Sequence, residues 1–503
     1  MSRILILIPF LVWLSWTDNP SAASLLRYTH SPALVGILIS PMAPLLFFGF
    51  YAVMILALGC WARWLARRVA ANNFLRTLKR FNRMAFAARL IIPAWFTVGT
   101  FFLGWATLVH RYLGDTLSDA LPGVIIGTLP AFVAWIGLWW AQYPADRALR
   151  EQSILNYLEV GLPIHAPPRL GKYILSNLRL QVLFMAAPVL LWVGLHDLGS
   201  LLLAPVNLSD AARDNADLAI WLGAGALVFL FSPEILRRVL HTQPLGDSPL
   251  RRRLEALCQR HGVRCRDVLL WRTDFAVGNA AVMGFIPQMR YILLSDLLLE
   301  TMTDAQIEAV FAHEIAHIVH RHMNWYLVFI VALALFSEWA DRGIVSDGPN
   351  SPIAPYKELV YVASFLVKFL ILFGFVSRRF ERQADVFAAR AIQASASRGD
   401  AQPAPLPPVI ASPISSLNPA SNVGEYGATL FGSALHRVAA VNNIPVAARS
   451  WCHGSIGTRM KYLRRLSDDP QRTQKFDALM RWLYLALLVA LAGSGALFMM
   501  TMY

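Results

Sequence analysis

Residues 313–317 read His-Glu-Ile-Ala-His, and two imidazoles four residues apart can bind a single metal ion. On a helix, His313 and His317 share one face, which is an arrangement that zinc sites use. Glu314, beside the first histidine, can reach a water on that metal and act as its general base. The alternative is an amphipathic helix that carries two histidines incidentally. The pentapeptide therefore predicts metal-assisted hydrolysis, provided that a third ligand is supplied from elsewhere.

The residues around the pentapeptide predict that it lies inside a helix. Thr303 and Gln306 have the spacing of a capping box, which predicts a helix start near Asp304. Apolar residues then recur at helical intervals, at Ile307, Val310, Phe311, Ile315 and Ile318. His320 and His322 follow, and either is a possible rival ligand. We interpret both as residues of the helix face or as supports of the ligands, because the metzincin spacing is not met.

A catalytic zinc site needs a third protein ligand, with the fourth position left to water. The best candidate lies in residues 377–385, Ser-Arg-Arg-Phe-Glu-Arg-Gln-Ala-Asp. Glu381 and Asp385 are four residues apart, so one helix face presents two carboxylates. Glu381 can ligate the metal, and Asp385 can accept the free N–H of a ligating imidazole. The alternative is a solvated helix face on which Glu381 pairs with Arg378 or Arg382.

Two segments carry a resemblance to a known family. Residues 291–322 contain Tyr-Ile-Leu-Leu-Ser-Asp and then Ala-His-Glu-Ile-Ala-His-Ile-Val-His-Arg-His, and residues 377–385 form the second segment. Together they resemble the membrane zinc peptidases that include the CAAX prenyl proteases and HtpX. The resemblance implies one Zn²⁺ per chain, held by His313, His317 and Glu381. It also implies that Asp385 is the carboxylate that orients a ligating imidazole.

Two further elements are similar to parts of the same family. Asn279-Ala280 matches a strand that borders the active-site cleft, which implies substrate binding by an added strand. Residues 451–456, Trp-Cys-His-Gly-Ser-Ile, together with Arg459, resemble a C-terminal element that usually has proline after the histidine; this chain has glycine there. The resemblance therefore makes His453 or Arg459 the candidate donor to an oxyanion.

The composition points independently to a membrane protein. The chain is 56% hydrophobic and 15% charged, whereas soluble domains carry about 25% charged residues. Eight apolar stretches suit spanning helices: 33–59, 87–109, 121–141, 181–204, 217–234, 324–340, 358–376 and 478–501. Residues 1–23 read either as a cleaved signal peptide or as an extra membrane helix. We therefore predict a mainly α, polytopic membrane protein, in which a multi-helix transmembrane bundle holds an inserted α+β zincin-type metalloprotease domain.

The net charge of +14 does not indicate nucleic-acid binding, because basic loops alternate with neutral or acidic loops along the chain. The basic loops follow residues 59 and 141, and the other loops follow residues 109 and 204. The positive-inside rule then places residues 235–323 and 377–477 on the cytoplasmic side, in a bacterial inner membrane. The expected partners are the lipid bilayer and a peptide or protein substrate.

The expected organisation splits the peptidase domain around a pair of membrane helices. The predicted segments are an N-terminal membrane domain of about five spans (1–234), a first peptidase half (235–323), two membrane helices (324–376), a second peptidase half (377–477) and a C-terminal membrane helix (478–503). Strands are predicted at 267–272, 279–285 and 291–295. The Ala-, Pro- and Ser-rich residues 396–420 predict a flexible loop.

The function predicted is a zinc-dependent endopeptidase that acts on membrane-associated or misfolded proteins. CAAX-type processing of prenylated proteins is one alternative, although the extra apolar segments at both ends weaken it. A zinc-binding membrane scaffold without catalysis is another alternative. The four cysteines, Cys60, Cys258, Cys265 and Cys452, form neither a disulfide framework nor a CxxC ligand pair. We expect them to be reduced thiols.

Overall fold

The computed structural model describes residues 4–17, 42–69, 74–159, 163–342, 357–397 and 423–500. Contacts divide the chain into two compact units. The first comprises Met1–Leu240 and Asp347–Val362, and the second comprises His241–Ser346 and Ala363–Tyr503. Within the described ranges the first unit contains only helices, whereas the second combines helices with a small sheet.

The first unit is built of helices around an aromatic core. Its α-helices are α1 (Ile8–Thr17), α2 (Met42–Arg68), α3 (Phe74–Phe101), α4 (Trp105–Leu113), α5 (Asp115–Ser118), α6 (Leu121–Glu159), α7 (Leu170–Asn177), α8 (Phe184–Leu203) and α9 (Asp210–Val239). A π-helical segment, Leu178–Leu183, joins α7 to α8. Among the largest fully buried side chains are Trp13, Trp135 and Trp139. The possible signal-peptide cleavage site at Ser21-Ala22-Ala23 lies outside the described residues.

The second unit contains a four-stranded sheet and the helices that pack on it. Its helices are α10 (Pro249–Arg260), α11 (Asp296–Thr301), α12 (Asp304–Val319), α13 (His322–Arg342), α14 (Lys357–Ser397, belonging to this unit from Ala363 onward), α15 (Glu425–Val441), α16 (Ile456–Asp468) and α17 (Pro470–Met500). Its core includes Phe311, Ile315, Phe380, Phe431 and Leu463, all almost wholly buried. The apolar face predicted for the histidine helix therefore faces the interior.

The sheet places its third strand at an edge. The strands are β1 (Thr242–Pro244), β2 (Asp267–Trp271), β3 (Ala280–Met283) and β4 (Tyr291–Ser295), in the order β1-β2-β4-β3. β2 and β4 are parallel, and the other two pairs are antiparallel. The three predicted strands are confirmed, but β3 is shorter than predicted because Gly284 turns the chain at φ 101°. Among the described residues, no strand pairs with the outer edge of β3.

Eight helical segments in the described ranges are long and apolar enough to cross a membrane. They are Met42–Arg68, Arg76–Phe101, Leu121–Ile154, Leu170–Leu203, Asp210–Val239, His322–Asp341, Val360–Ser397 and Pro470–Met500. Each matches one predicted apolar stretch, and the fold class is confirmed. Positions 33–41 of the first stretch lie outside the described residues. The stretch 87–109 was too long, because Gly104, at φ 70°, separates α3 from the short helix α4.

Helix α14 connects a predicted membrane span directly to the segment that carries Glu381. It is one continuous helix of 41 residues, which corresponds to roughly 60 Å. A hydrocarbon core of about 30 Å needs only about 20 of those residues. The apolar residues 358–376 come first, and residues 377–397 continue the same helix without a break. Glu381 is therefore held by a rigid element that starts within the predicted membrane span.

A buried ion pair joins the two helices that follow the histidine helix. Lys368 Nζ of α14 donates to both carboxylate oxygens of Asp341 of α13, at 2.7 and 2.9 Å. Ser364 Oγ donates a third hydrogen bond to Asp341, at 3.0 Å. The Asp341 side chain is only 1% exposed. Because a charge buried at membrane depth is costly unless it is paired, each member of this pair depends on the other.

Replacing Lys368 with Met is expected to lower the free energy of unfolding by about 3–5 kcal/mol, because Asp341 would remain buried without its counter-charge. Thermal or denaturant unfolding of the purified protein in detergent measures the loss. The double variant Lys368→Met/Asp341→Leu removes both charges, so it is expected to recover most of the stability. An equal loss in the single and double variants would contradict the pairing argument.

Candidate metal centre

The histidine pair lies on α12, which begins where its sequence predicts. Thr303 caps the helix by accepting from the Gln306 backbone N–H, and the Gln306 side chain accepts from the Thr303 N–H. His313 is buried and His317 is half-buried, with ring centroids 5.1 Å apart. Phe431 stacks on the His313 ring at 5.7 Å. The two imidazoles therefore share one face of a helix whose other side forms the core.

Glu381 reaches both imidazoles from the separate helix α14. Its Oε2 lies 3.6 Å from His313 Nε2, and its Oε1 lies 3.9 Å from His317 Nε2. One ligand atom from each of the three residues lies within 4.8 Å of the others. The structure thus brings together the three residues that the resemblance implied.

The donor set suits a zinc ion. Two imidazole nitrogens and one carboxylate oxygen form a three-ligand set that leaves a fourth tetrahedral position open to water or substrate. Both histidines present Nε2 towards Glu381, so the lone pairs that a metal needs converge. His313, His317 and Glu381 could therefore hold the ion, and the chemistry of their atoms fits Zn²⁺ better than an ion that prefers only oxygen ligands.

Asp385 contacts the Nδ1 side of the His313 ring, and Arg459 holds Asp385 in place. Asp385 Oδ1 lies 3.0 Å from His313 Nδ1, and the Asp385 side chain is 1% exposed. Arg459, at the start of α16, donates from Nε to Asp385 Oδ2 at 2.8 Å and from Nη2 to Oδ1 at 2.5 Å. This bidentate pair fixes the carboxylate. Asp385 therefore occupies the position expected of a residue that orients a metal-binding histidine.

The electrostatics of the site favour bound positive charge. Burial lowers the pKa of His313, but the carboxylates of Asp385 and Glu381 outweigh it and raise that pKa to about 9. Burial and the neighbouring His313 lower the pKa of His317 to about 4, which keeps this imidazole neutral. Burial also raises the pKa of Glu314, which makes it a better proton acceptor. The carboxylates of Glu381 and Asp385 thus attract a cation.

His453 approaches Glu381 from the loop before α16. Its Nδ1 lies 2.9 Å from Glu381 Oε1, and 55% of its side chain is exposed. The loop is closed by an antiparallel bridge between Ser450 and Gly454, and Gly454 adopts φ 74°. The candidate metal-binding residues therefore have an exposed imidazole at one side, whereas Arg459 is engaged with Asp385.

Trp451 anchors the His453 loop on α14. Its indole Nε1 donates to the Leu370 carbonyl at 2.7 Å, and its own carbonyl accepts from Arg378 Nη1 at 2.8 Å. Gly374 leaves the space that the indole fills, since a Cβ there would lie 2.5 Å from Trp451 Nε1. No local pattern of residues predicts this contact, because it joins segments that are far apart along the chain.

Asn279 immediately precedes the edge strand β3, and Ala280 is its first residue. The Asn279 backbone pairs with Ser295 of β4, while its side chain is exposed. Ala280 is buried against α12, the helix on which the strand packs. Asn442 at the end of α15 accepts from the Gly278 N–H at 3.0 Å and donates to the Gly278 carbonyl at 2.7 Å. The start of this strand is therefore clamped, a role of Asn442 that sequence reasoning missed.

Comparison with known proteins matches a family model to the part of the chain that carries the candidate ligands. The model of "Peptidase family M48" matches residues 244–405. This range contains the three candidate ligands together with Glu314 and Asp385. Residues 244–405 are thus similar to the domain of peptidase family M48. M48 peptidases are metalloproteases, so the metal-binding geometry agrees with the family. The two residues of the C-terminal element, His453 and Arg459, lie beyond the matched range.

Two of the relatives that match part of the chain come from Janthinobacterium sp. and Arabidopsis thaliana. A "Protease HtpX homolog" of Janthinobacterium sp. is 29% identical over 175 residues, which is 31% of this chain and 59% of that protein. A "CAAX prenyl protease 1 homolog" of Arabidopsis thaliana is 26% identical over 160 residues, covering 29% and 38%. The chain thus spans less than two thirds of each. The crystal structure of S. mikatae Ste24p has a TM-score of 0.44 at 14% identity, covering 83% of this chain and 98% of that one.

Proposed function

We propose that this protein is an integral membrane zinc endopeptidase that hydrolyses membrane-associated or misfolded proteins. The observation that carries the proposal is the meeting of Glu381 with His313 and His317, which brings three candidate zinc ligands together at the helix that also carries Glu314. A protein that only bound zinc would have no need of a base at that position. The M48 match supports the same activity.

When bound, zinc would activate a water for attack and polarise the scissile carbonyl. Glu314 would accept a proton from the attacking water and pass it to the leaving amine. His453, exposed beside Glu381, is the better placed of the two candidate donors to the developing oxyanion. Arg459 would act through Asp385, holding the carboxylate that fixes the His313 ring. These roles distribute the chemistry over residues from three helices and one loop.

The substrate would bind as an added strand on β3. Asn279 and Ala280 open this edge strand, which lies against the histidine helix. Main-chain hydrogen bonds along an edge are largely independent of side-chain sequence, so this mode suits broad specificity.

The sidedness proposed is cytoplasmic, in a bacterial inner membrane. It rests on the alternation of basic and non-basic loops, which the positive-inside rule relates to topology. Asp468 at the end of α16 is exposed and provides a reporter position. In a variant whose natural cysteines are replaced, Asp468→Cys should react with an impermeant maleimide only after the membrane is opened. Labelling of intact spheroplasts would reverse the assignment.

The test of the activity is cleavage by the purified full chain in detergent. An unfolded soluble protein such as casein, an unfolded membrane protein and a prenylated CAAX peptide are offered in parallel, with products identified by mass spectrometry. Cleavage of the first two, abolished by a chelator and restored by zinc, is expected. Cleavage confined to the prenylated peptide would favour the CAAX-type alternative. Zinc binding without cleavage of any substrate would favour the scaffold alternative.

Replacing Trp451 with Ala is expected to lower kcat by up to about 100-fold, because His453 would lose its anchor and a displacement of about 1 Å can cost that much. Zinc content should not change, since Trp451 contacts none of the three ligands. Steady-state cleavage and metal analysis measure the two quantities. Trp482→Ala is the control, because this tryptophan is 68% exposed on α17. Unchanged turnover in Trp451→Ala would remove the case for a catalytic His453.

A further inference from the structure

His317, the second candidate ligand, is linked to a series of part-buried hydrogen-bonded side chains. His317 Nδ1 lies 2.9 Å from His322 Nδ1, and His322 Nε2 lies 2.9 Å from Gln383 Oε1. Tyr484 of α17 donates its hydroxyl to the same amide oxygen at 2.5 Å. His322 is fully buried. These hydrogen bonds therefore link the candidate metal centre to α17, through His322 of α13 and Gln383 of α14.

The directions of these hydrogen bonds follow from the amide oxygen. An amide oxygen only accepts, so His322 Nε2 must carry the hydrogen that it shares with Gln383. A neutral imidazole has one N–H, so His322 Nδ1 is an acceptor. His317 Nδ1 is then the donor, and its Nε2, which faces Glu381, keeps the lone pair that a metal needs.

The opposite orientation of the amide would exclude metal binding. With the Gln383 NH₂ group towards His322, His322 Nε2 would accept and His322 Nδ1 would carry the hydrogen. His317 Nδ1 would then accept, so the hydrogen of His317 would lie on Nε2, the atom that must bind the metal. In the structure the Gln383 amide oxygen, and not its NH₂ group, faces both His322 Nε2 and the Tyr484 hydroxyl. These hydrogen bonds thus select the tautomer of His317 whose Nε2 lone pair is available to a metal.

Packing fixes the position of His322. Its ring stacks on Phe380 with centroids 4.4 Å apart and planes only 2° from parallel. Arg321, at φ 54°, turns the chain sharply between α12 and α13, which returns His322 to the side of His317. Trp325 stacks on Tyr484 at 4.5 Å and holds the far end of the chain. The hydrogen-bonded series from His317 to Tyr484 is therefore held in place at both ends.

We infer that His322 is a positioning residue that fixes the metal-binding tautomer of His317, with Gln383 and Tyr484 fixing His322 in turn. The inference rests on the proposed zinc site and adds a second residue, besides Asp385, that orients one of its histidine ligands. The first ligand, His313, is oriented by a carboxylate, whereas the second ligand is oriented by a neutral imidazole. The arrangement also couples zinc affinity to the membrane helix α17, through the single hydroxyl of Tyr484.

The test compares two substitutions of His322 by zinc affinity, measured with a competing chelator on the full chain in detergent. His322→Leu removes the acceptor and is expected to weaken zinc binding by about 10–100-fold. His322→Asn places an amide oxygen near the lost Nδ1, so its affinity should stay close to that of the unaltered protein. Unchanged affinity in His322→Leu, or an equal loss in both variants, would overturn the inference.

A second pair of variants applies if His322→Leu does not fold. Gln383→Leu keeps the His322 ring but removes the oxygen that fixes its tautomer, so zinc affinity should fall. Gln383→Glu keeps an accepting oxygen and should not weaken zinc binding. Equal affinities in this pair would also overturn the inference. Failure of the proposed zinc site is distinguishable, because the unaltered chain would then show no zinc binding that depends on Glu381.

Discussion

Glu314→Gln is expected to lower kcat for peptide cleavage by about 10²–10⁴-fold while the zinc content stays at one per chain. A positioned general base contributes roughly that factor, and Gln cannot accept the proton of an attacking water. Glu314 is not one of the three residues whose ligand atoms converge, so the metal should remain bound. Single-turnover cleavage and metal analysis on the same preparation measure both quantities.

Glu308→Gln provides the matched control for Glu314→Gln. Glu308 lies on the same helix and pairs with Arg253 at 2.6 Å, in a part-exposed contact. Losing an exposed pair of this kind costs at most about 1 kcal/mol, and no reacting group is near it. Turnover should therefore be unchanged in Glu308→Gln. If Glu314→Gln still cleaved at the rate of the unaltered protein, the peptidase activity could not be assigned to this site.

Glu381→Ala is expected to weaken zinc binding by at least about 100-fold, with cleavage lost in parallel. Loss of an outer partner of a metal ligand already costs about 10–100-fold, and this variant removes a ligand itself. The two remaining imidazoles would leave an incomplete coordination shell. Chelator competition followed over a range of free zinc concentrations measures the loss, and high zinc should restore little of the cleavage.

The control for Glu381→Ala is Arg382→Gln, one residue further along the same helix. The Arg382 side chain is exposed, with its guanidinium over the Tyr462 ring at 5.1 Å. The change alters the local charge of α14 without touching the three ligands. Zinc affinity should stay the same. Full zinc affinity in Glu381→Ala would mean that the third ligand is another residue.

Local signals predicted much of what surrounds the site. The capping box of Thr303 and the apolar spacing after it located α12, because helix starts and amphipathic faces depend on residues a few positions apart. Strand β4 was predicted at its observed bounds for the same reason, since its short apolar run is bounded by turn residues. Helix α3 was predicted too long, because a glycine that interrupts an apolar stretch gives only a weak signal.

Contacts between distant segments were not predictable from spacing. Glu381 as the third ligand came from the family resemblance, because Arg378 and Arg382 beside it made a surface ion pair the favoured interpretation of the residues alone. The hydrogen bonds that link His322 to Tyr484 depend on how α13, α14 and α17 pack. The contact of Trp451 with α14 likewise depends on packing between distant segments. One sequence does not encode such packing in any local pattern.

The central claim is that one zinc ion is held jointly by α12 and α14. The most direct test is anomalous diffraction at the zinc edge from crystals of the purified protein. A single strong peak is expected within about 2.0–2.2 Å of His313 Nε2, His317 Nε2 and a carboxylate oxygen of Glu381. A zinc peak elsewhere, or one that contacts the two imidazoles with the Glu381 side chain turned away, would contradict the account.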